Sequence, residues 1–332
     1  MMRRDEPLAL SPLSIAILST VSLVGAVLFP LLTYTFSLAA FGIAHVAAEM
    51  RYVDMRFSSR MPRRPLLMIT VILALVVVTR VLTLTGAVAS DTTRVVELLL
   101  VVGLASIPLP MLLDRGGPRA ATGLAICALL VISLAISPLA GMLTLAVVHN
   151  ATPVGFLVEA AAPAHRRRVL SLSLLVFVGL PLAIASGVPA YFADALGMRS
   201  LSFSPFTVGA LADHFKVYLP PAIASLSSAE HLFSGIVFAQ CMHYVAVLHV
   251  MPRLVDQDEA QPIVGWPRPA LFVVILVVVG GAFLAGFAAD FGGARSIYGV
   301  FAAVHAWIEV PILLYALVLD GGQGATLAHT ST

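Results

Sequence analysis

The sequence predicts an all-α protein, a polytopic bundle of transmembrane helices, and three observations carry that prediction. Of the 332 residues, 60% are hydrophobic and only 11% charged, whereas a soluble domain carries about 25% charged residues. Apolar runs of roughly 20 residues, the length a helix needs to cross a hydrocarbon core of about 30 Å, recur from one end of the chain to the other and give a mean hydropathy of +1.00. No stretch of about ten residues alternates in the manner of a membrane β-strand, so a barrel is not expected.

Charged residues, prolines and glycines divide the apolar sequence into about ten helices. Pro30, with Thr33, Tyr34 and Thr35, marks a turn between a first helix over 9–29 and a second over 33–55. The positive start MMRRDEPLAL precedes too long an apolar run, without a small-residue cleavage site, to read as a removed signal peptide. Arg51, Arg56, Arg60, Arg63 and Arg64 form a basic loop before a third helix over 65–88. A polar turn at Asp91–Arg94 leads to a fourth over 95–113, which ends at the Asp114–Arg119 loop. Helices over 120–136 and 138–160 follow, separated by Ser137-Pro138, and then the basic loop 163–168 and a helix over 169–192. The stretch 193–226 mixes charges and prolines with apolar residues; a connection this long is often functional, and a cap with short interfacial helices is expected there. An eighth helix covers Glu230–Arg253, the polar loop 256–268 leads to a ninth over 269–289, and a tenth spans 296–319. The expected organisation is therefore one integral-membrane domain over 1–319 and a flexible tail over 320–332. Cys127 and Cys241 lie inside apolar helices and read as small buried hydrophobes, with no disulfide or metal motif.

With about ten helices, the basic loops at 51–64, 114–119 and 163–168 and the mixed loop at 251–268 share one side. The positive-inside rule places that side, and both termini, in the cytoplasm and the 193–226 cap outside. A multi-pass protein of the inner (plasma) membrane is expected. Its partners would be the bilayer, a hydrophobic small-molecule substrate and, if it belongs to a larger membrane complex, other subunits. The formal charge of +2 carries no sign of nucleic-acid binding.

Function is sought among polar groups at depth, because ionisable side chains inside a bilayer are costly and mark sites. At about 1.5 Å per residue, His45 and His149 lie roughly 17 Å below the outer face, His243 roughly 21 Å and His305 roughly 14 Å. Four histidines from four helices thus share one slab. Glu49 follows His45 by four residues, and Glu309 follows His305 by four, so each pair shares a helix face; Gln240 shares the face of His243. Neutral imidazoles with carboxylates suit iron, zinc, copper or manganese, with the glutamates as ligands or as acceptors for imidazole N–H groups. His231 and His249 fall at opposite ends of the eighth helix, and His165, His214 and His329 are expected to be solvated. Glu97 and Glu159 are expected at the interface, with Arg80 reaching it by snorkelling. No Walker A loop, nucleotide fingerprint, GxSxG, HExxH or CxxCH is present, nor the HxxxH and HxxHH series of membrane desaturases.

The segment Phe41-Gly-Ile-Ala-His45-Val-Ala-Ala-Glu49 resembles the FGxPHGxxD element that opens the Brp/Blh family of bacterial membrane β-carotene dioxygenases. The resemblance implies that His45 matches that family's first iron-binding histidine, that Glu49 stands in place of its aspartate, and that His149 and His243 take the later histidine positions. The chain lacks the proline and glycine that flank the family's histidine, and it has Gln240-Cys-Met-His243-Tyr244 where the family has a close histidine pair. The expected function is a membrane-embedded, iron-dependent oxygenase acting on a lipid-soluble substrate. His45, His149, His243, His305, Glu49 and Glu309 would form its metal site, and Gln240 or Tyr244 would line the site of substrate or oxygen. Two other classes fit the same residues: a proton-linked transporter using a His/Glu relay, and a membrane subunit holding haem or another pigment between histidines.

Overall fold

A computed structural model describes residues 12–255 and 262–319. The charged start of the chain, residues 256–261 of the polar loop and the expected tail 320–332 lie outside the described residues. Those described form helices and connecting turns, with no strand among them.

The first two helices, α1 (Pro12–Leu28) and α2 (Pro30–Phe57), are separated by Phe29 alone. Proline is tolerated at a first helical position, where its missing donor is not needed. The turn expected at Pro30–Thr35 therefore shrinks to one residue. Thr33 and Thr35 fold into the helix by donating their hydroxyls to the carbonyls of Phe29 and Leu31, at 2.9 and 2.7 Å. Then follow α3 (Arg63–Leu84), α4 (Ser90–Ser106), α5 (Leu109–Arg115) and α6 (Gly117–Ile136).

The sixth expected helix is not continuous. It is α7 (Pro138–His149) and α8 (Pro153–Ala160), bent by 40°. Pro153 offers no N–H to the His149 carbonyl one turn before it, so the ladder of helix hydrogen bonds breaks there. The Thr152 hydroxyl donates to the His149 carbonyl at 2.6 Å, and the Asn150 amide donates to the Ala146 carbonyl at 3.1 Å, so side chains satisfy the carbonyls that the break exposes. The seventh helix is α9 (Arg166–Leu174), a π-helical turn at Leu175–Gly179, and α10 (Leu180–Ala185). It stops short of the expected residue 192 because Gly187 takes a left-handed φ of 80°, after which α11 (Val188–Ala195) starts. The expected cap contains the short helices α12 (Ala212–Phe215) and α13 (Pro221–Ala224). The eighth helix, α14 (Ala229–Val245), passes into a π-helical turn, Ala246–Val250, and a 3-10 turn, Met251–Leu254; α15 (Pro269–Ala289) and α16 (Phe291–Leu319) close the described chain.

Among the described residues, eight helices are long and apolar enough to cross a membrane, and nine if the bent pair α7–α8 counts as one span. The first expected helix, α1, has only 17 residues. Large apolar side chains point outward along them, for instance Val71, Leu75 and Val78 on α3 and Val273 and Val277 on α15, as lipid-facing surfaces require.

The chain divides into two compact units. The first comprises Met1–Tyr52, Leu143–Ala260 and Val264–Gly299. In it α14 lies hard against α10: a Cβ at Gly235 would sit 2.5 Å from the Pro181 carbonyl oxygen. Close approach at small residues is how helices associate where lipid removes the hydrophobic drive. The segment 193–226 is tied down at several points. Arg199, its side chain only 4% exposed, donates to the Val27 carbonyl at 3.0 Å and to Asp194 at 2.9 Å, and also to Glu230. Thr35 and Ser204 share a hydrogen bond of 3.1 Å. Tyr218 of this segment packs with Tyr34 and Phe233, the three ring centroids 5.4–6.2 Å apart.

The second unit comprises Val53–Met142, Gln261–Ile263 and Val300–Thr332. Its core is built on α4, whose Leu98, Val101 and Leu104 are fully buried. Glu97 is also buried, and Arg80 grips it with two bonds of 2.7 Å from Nε and from a terminal guanidinium nitrogen. The Trp307 indole N–H donates to the same carboxylate. The interfacial Glu97 expected from the sequence is thus a buried carboxylate, held because its full partner set lies within reach.

Candidate metal centre

The site begins on α2. One helical turn separates His45 from Glu49, so both project from one face, and both are buried, at 1% and 0% exposure. His45 Nδ1 lies 3.3 Å from the Phe41 carbonyl oxygen. A carbonyl only accepts, so Nδ1 carries the proton in this contact and Nε2 is the ring nitrogen that could ligate.

The other two histidines arrive by different routes. The fully buried His243 comes from α14, which the contact at Gly235 seats against α10. His149 is the last residue of α7, at the bend, where the interrupted helix lets a side chain turn in from a helix end. The ligand atoms of His45, His149 and His243 all lie within 4.8 Å of one another. Their rings are in contact, with centroids 5.4 Å apart for His45 and His243 and 4.5 Å for His149 and His243. Glu49 Oε2 lies 3.3 Å from His243 Nε2. Three imidazoles and a carboxylate at this spacing could hold a metal ion. A buried carboxylate needs a cation or a hydrogen-bond donor beside it, and a transition metal with imidazole ligands meets that need.

Around these residues lies a shell of phenols and amides. Tyr244 stacks on His45 with centroids 4.1 Å apart and planes 31° apart. Tyr298 is a second phenol of the group, its ring 6.4 Å from that of His45. Gly42 makes room for Tyr298, since a Cβ there would come within 3.1 Å of the ring. Gln240 is buried one turn before His243; its carbonyl accepts from the Tyr218 hydroxyl, and its amide donates to Ser37 at 3.3 Å. Of these residues the sequence marks Gln240 and Tyr244, but not Tyr298, Tyr218 or Ser37. Ser37 stands about two turns before His45 on the same helix, a signal that was available. Nothing in the spacing of Tyr218 marks it.

His305 and Glu309 belong to the second unit, where α16 carries them one turn apart; both are buried, at 2% and 0% exposure. The remaining histidines stand away from the group. His249 and His165 are exposed, and His231 is half-buried beside Glu230 and Gly187. His329 lies outside the described residues. His214, expected to be solvated, is instead buried at 4% exposure: its Nε2–H donates to the Val208 carbonyl at 3.0 Å, and its ring packs on Tyr34 and Phe291. A closed turn around α12, invisible in local composition, provides that partner.

No protein-family model matches the chain, no curated protein is similar to it by sequence, and no solved structure matches its fold.

Proposed function

We propose that the chain is a membrane-embedded, metal-dependent oxidoreductase, an oxygenase using non-haem iron on a lipid-soluble substrate such as an isoprenoid, a carotenoid or a fatty acyl chain. The observation that carries this reading is the convergence of His45, His149 and His243 from three separate helices, with the buried Glu49 beside them. Iron held there with an open position would supply oxygen activation. His45, His149 and His243 hold the ion, and Glu49 ligates it or orients the imidazole of His243. His305 and Glu309 enter the proposal from their depth in the sequence. Tyr244 and Gln240 line the space for substrate or oxygen, with Tyr218 fixing the position of Gln240. The likeness of residues 41–49 to the Brp/Blh element supports the choice of iron and oxygen. The proposed topology has about ten spans, with both termini in the cytoplasm of a cell whose inner membrane holds the protein.

Ring contact among the histidines favours a compact ion over haem, because axial imidazoles stand on opposite faces of a macrocycle and these leave no room for its plane. A proton-linked transporter is the second reading, favoured by the broken helix at His149, since interrupted spans line transport sites. The experiment is anaerobic loading of the detergent-purified protein with ferrous iron, followed by nitric oxide and electron paramagnetic resonance. A high-spin ferrous-nitrosyl signal supports an iron site with an open position. Protein that takes up no iron, with a proton flux in vesicles, supports the transporter instead.

A further inference from the structure

The back of α2 carries a second feature. The groove between α2 and α15 has a volume of about 200 Å³, and apolar side chains alone line it. Ile43, Ala44 and Ala47 form one wall and Phe272, Ile275 and Val279 the other. The alanines create the hollow, and Ile275 and Val279 are 38% and 39% exposed on its open side. Its deep end closes where α15 meets α2, at Gly280, whose Cβ position lies 3.6 Å from the Ala40 carbonyl oxygen. At the other end stand Trp266 and Pro267, with Trp266 edge-on to Phe272 at 5.8 Å.

That end also carries a charge. The Arg51 guanidinium lies over the Phe272 ring, 4.5 Å from its centroid. Its Nε is buried with no hydrogen-bond partner among the described residues, so donors remain for an anion. At about 100° per residue, Arg51 falls on the groove side of α2, and His45 and Glu49 lie about 150–170° around the helix from the middle of the wall formed by Ile43, Ala44 and Ala47. The groove is therefore separate from the metal centre. From Ile43 to Arg51 it runs about 12 Å along the helix, apolar at depth and cationic at the mouth, with a tryptophan where membrane interfaces favour one.

We propose that this groove binds one acyl chain of an anionic glycerophospholipid, with the lipid phosphate held by Arg51. The proposal is independent of the metal centre. Charge at the mouth and a purely apolar interior specify an anionic amphiphile, and the open side faces the bilayer that supplies it. A single arginine at a membrane surface prefers an anionic headgroup by about fivefold.

The test uses Trp266 as reporter. The chain has two tryptophans, so W307F leaves Trp266 alone. The full-length W307F protein is reconstituted into vesicles of phosphatidylcholine containing either brominated phosphatidylglycerol or brominated phosphatidylcholine. Quenching of Trp266 is expected at about fivefold lower mole fraction with the glycerol lipid. R51Q should bring the two lipids to the same mole fraction, and A47F, which fills the groove, should weaken quenching by both. Each variant is first checked for monodisperse elution and unchanged helical circular dichroism. Equal quenching by both lipids in the parent protein, or a preference that survives R51Q, would overturn the proposal and leave only unselective annular lipid.

Discussion

Glu49 Oε2 lies 3.3 Å from His243 Nε2, and neither side chain has any solvent exposure. The contact joins α2 to α14, so the carboxylate of one helix controls the imidazole of the other. Partners of this kind set ring orientation and ligand basicity, and their loss typically lowers metal affinity by about 10–100-fold. E49Q should therefore weaken metal binding by about that factor while keeping the fold, as measured by competition with a chelator of known affinity. Unchanged affinity in E49Q would remove Glu49 from the site.

The Arg80–Glu97 pair makes a prediction about stability. Two guanidinium bonds and the Trp307 indole converge on one buried carboxylate. E97A would strand the Trp307 indole N–H and release the half-buried Arg80 guanidinium, and leaving a buried donor unsatisfied costs about 1–3 kcal/mol. A loss of about 2–3 kcal/mol is expected, read as a lower melting temperature in detergent. R80K, which keeps the charge and loses the bidentate geometry, should fall between E97A and the parent.

His214 predicts a pH dependence. Burial lowers its pKa below the ordinary value of 6.5, and the Val208 carbonyl offsets this only in part; Arg295 and Lys216 lower it further, and Asp213 raises it. Arg295 also lies 3.4 Å from Nδ1, which accepts only while the ring is neutral. The unfolded chain then binds a proton more readily than the folded one, so stability is complete above the ordinary histidine pKa and declines as pH falls below it. The melting temperature should drop between about pH 7 and pH 5. H214Q, whose amide can serve both partners without titrating, should flatten that slope, and an identical slope in H214Q would rule His214 out as its source.

Gly235 predicts a steric penalty. An added methyl would sit 2.5 Å from the Pro181 carbonyl oxygen, a backbone atom that cannot swing aside. G235A should destabilise by about 1–3 kcal/mol and should lower metal content as well, because α14 carries His243. Full stability and full metal content in G235A would show that the two helices separate freely.

Much of this architecture is legible in the sequence because the bilayer imposes lengths. Runs near 20 residues mark the helices, and residue counting along them brought His45, His149 and His243 to one depth. What a depth count cannot give is the angle at which helices meet. Arg80 and Glu97 stand on neighbouring helices, and only their packing register shows that the two side chains meet instead of reaching the interface separately. The bend at His149 was written in Asn150-Ala-Thr-Pro153, a local breaker signal that the long apolar run outweighed. Tyr218 reaches Gln240 from the 193–226 segment, whose path depends on tertiary ties such as Arg199 to the Val27 carbonyl. No periodicity announces that path.

In the proposed site the histidines of α2, α7 and α14 together hold one metal ion. The most direct test is elemental analysis of the purified, monodisperse protein alongside H45A, H149A and H243A. About one transition-metal ion per chain is expected in the parent and a large loss in each variant, with an absorption spectrum free of a haem Soret band. Parent protein without metal after anaerobic loading, or three variants that each retain a full complement, would contradict the proposed site.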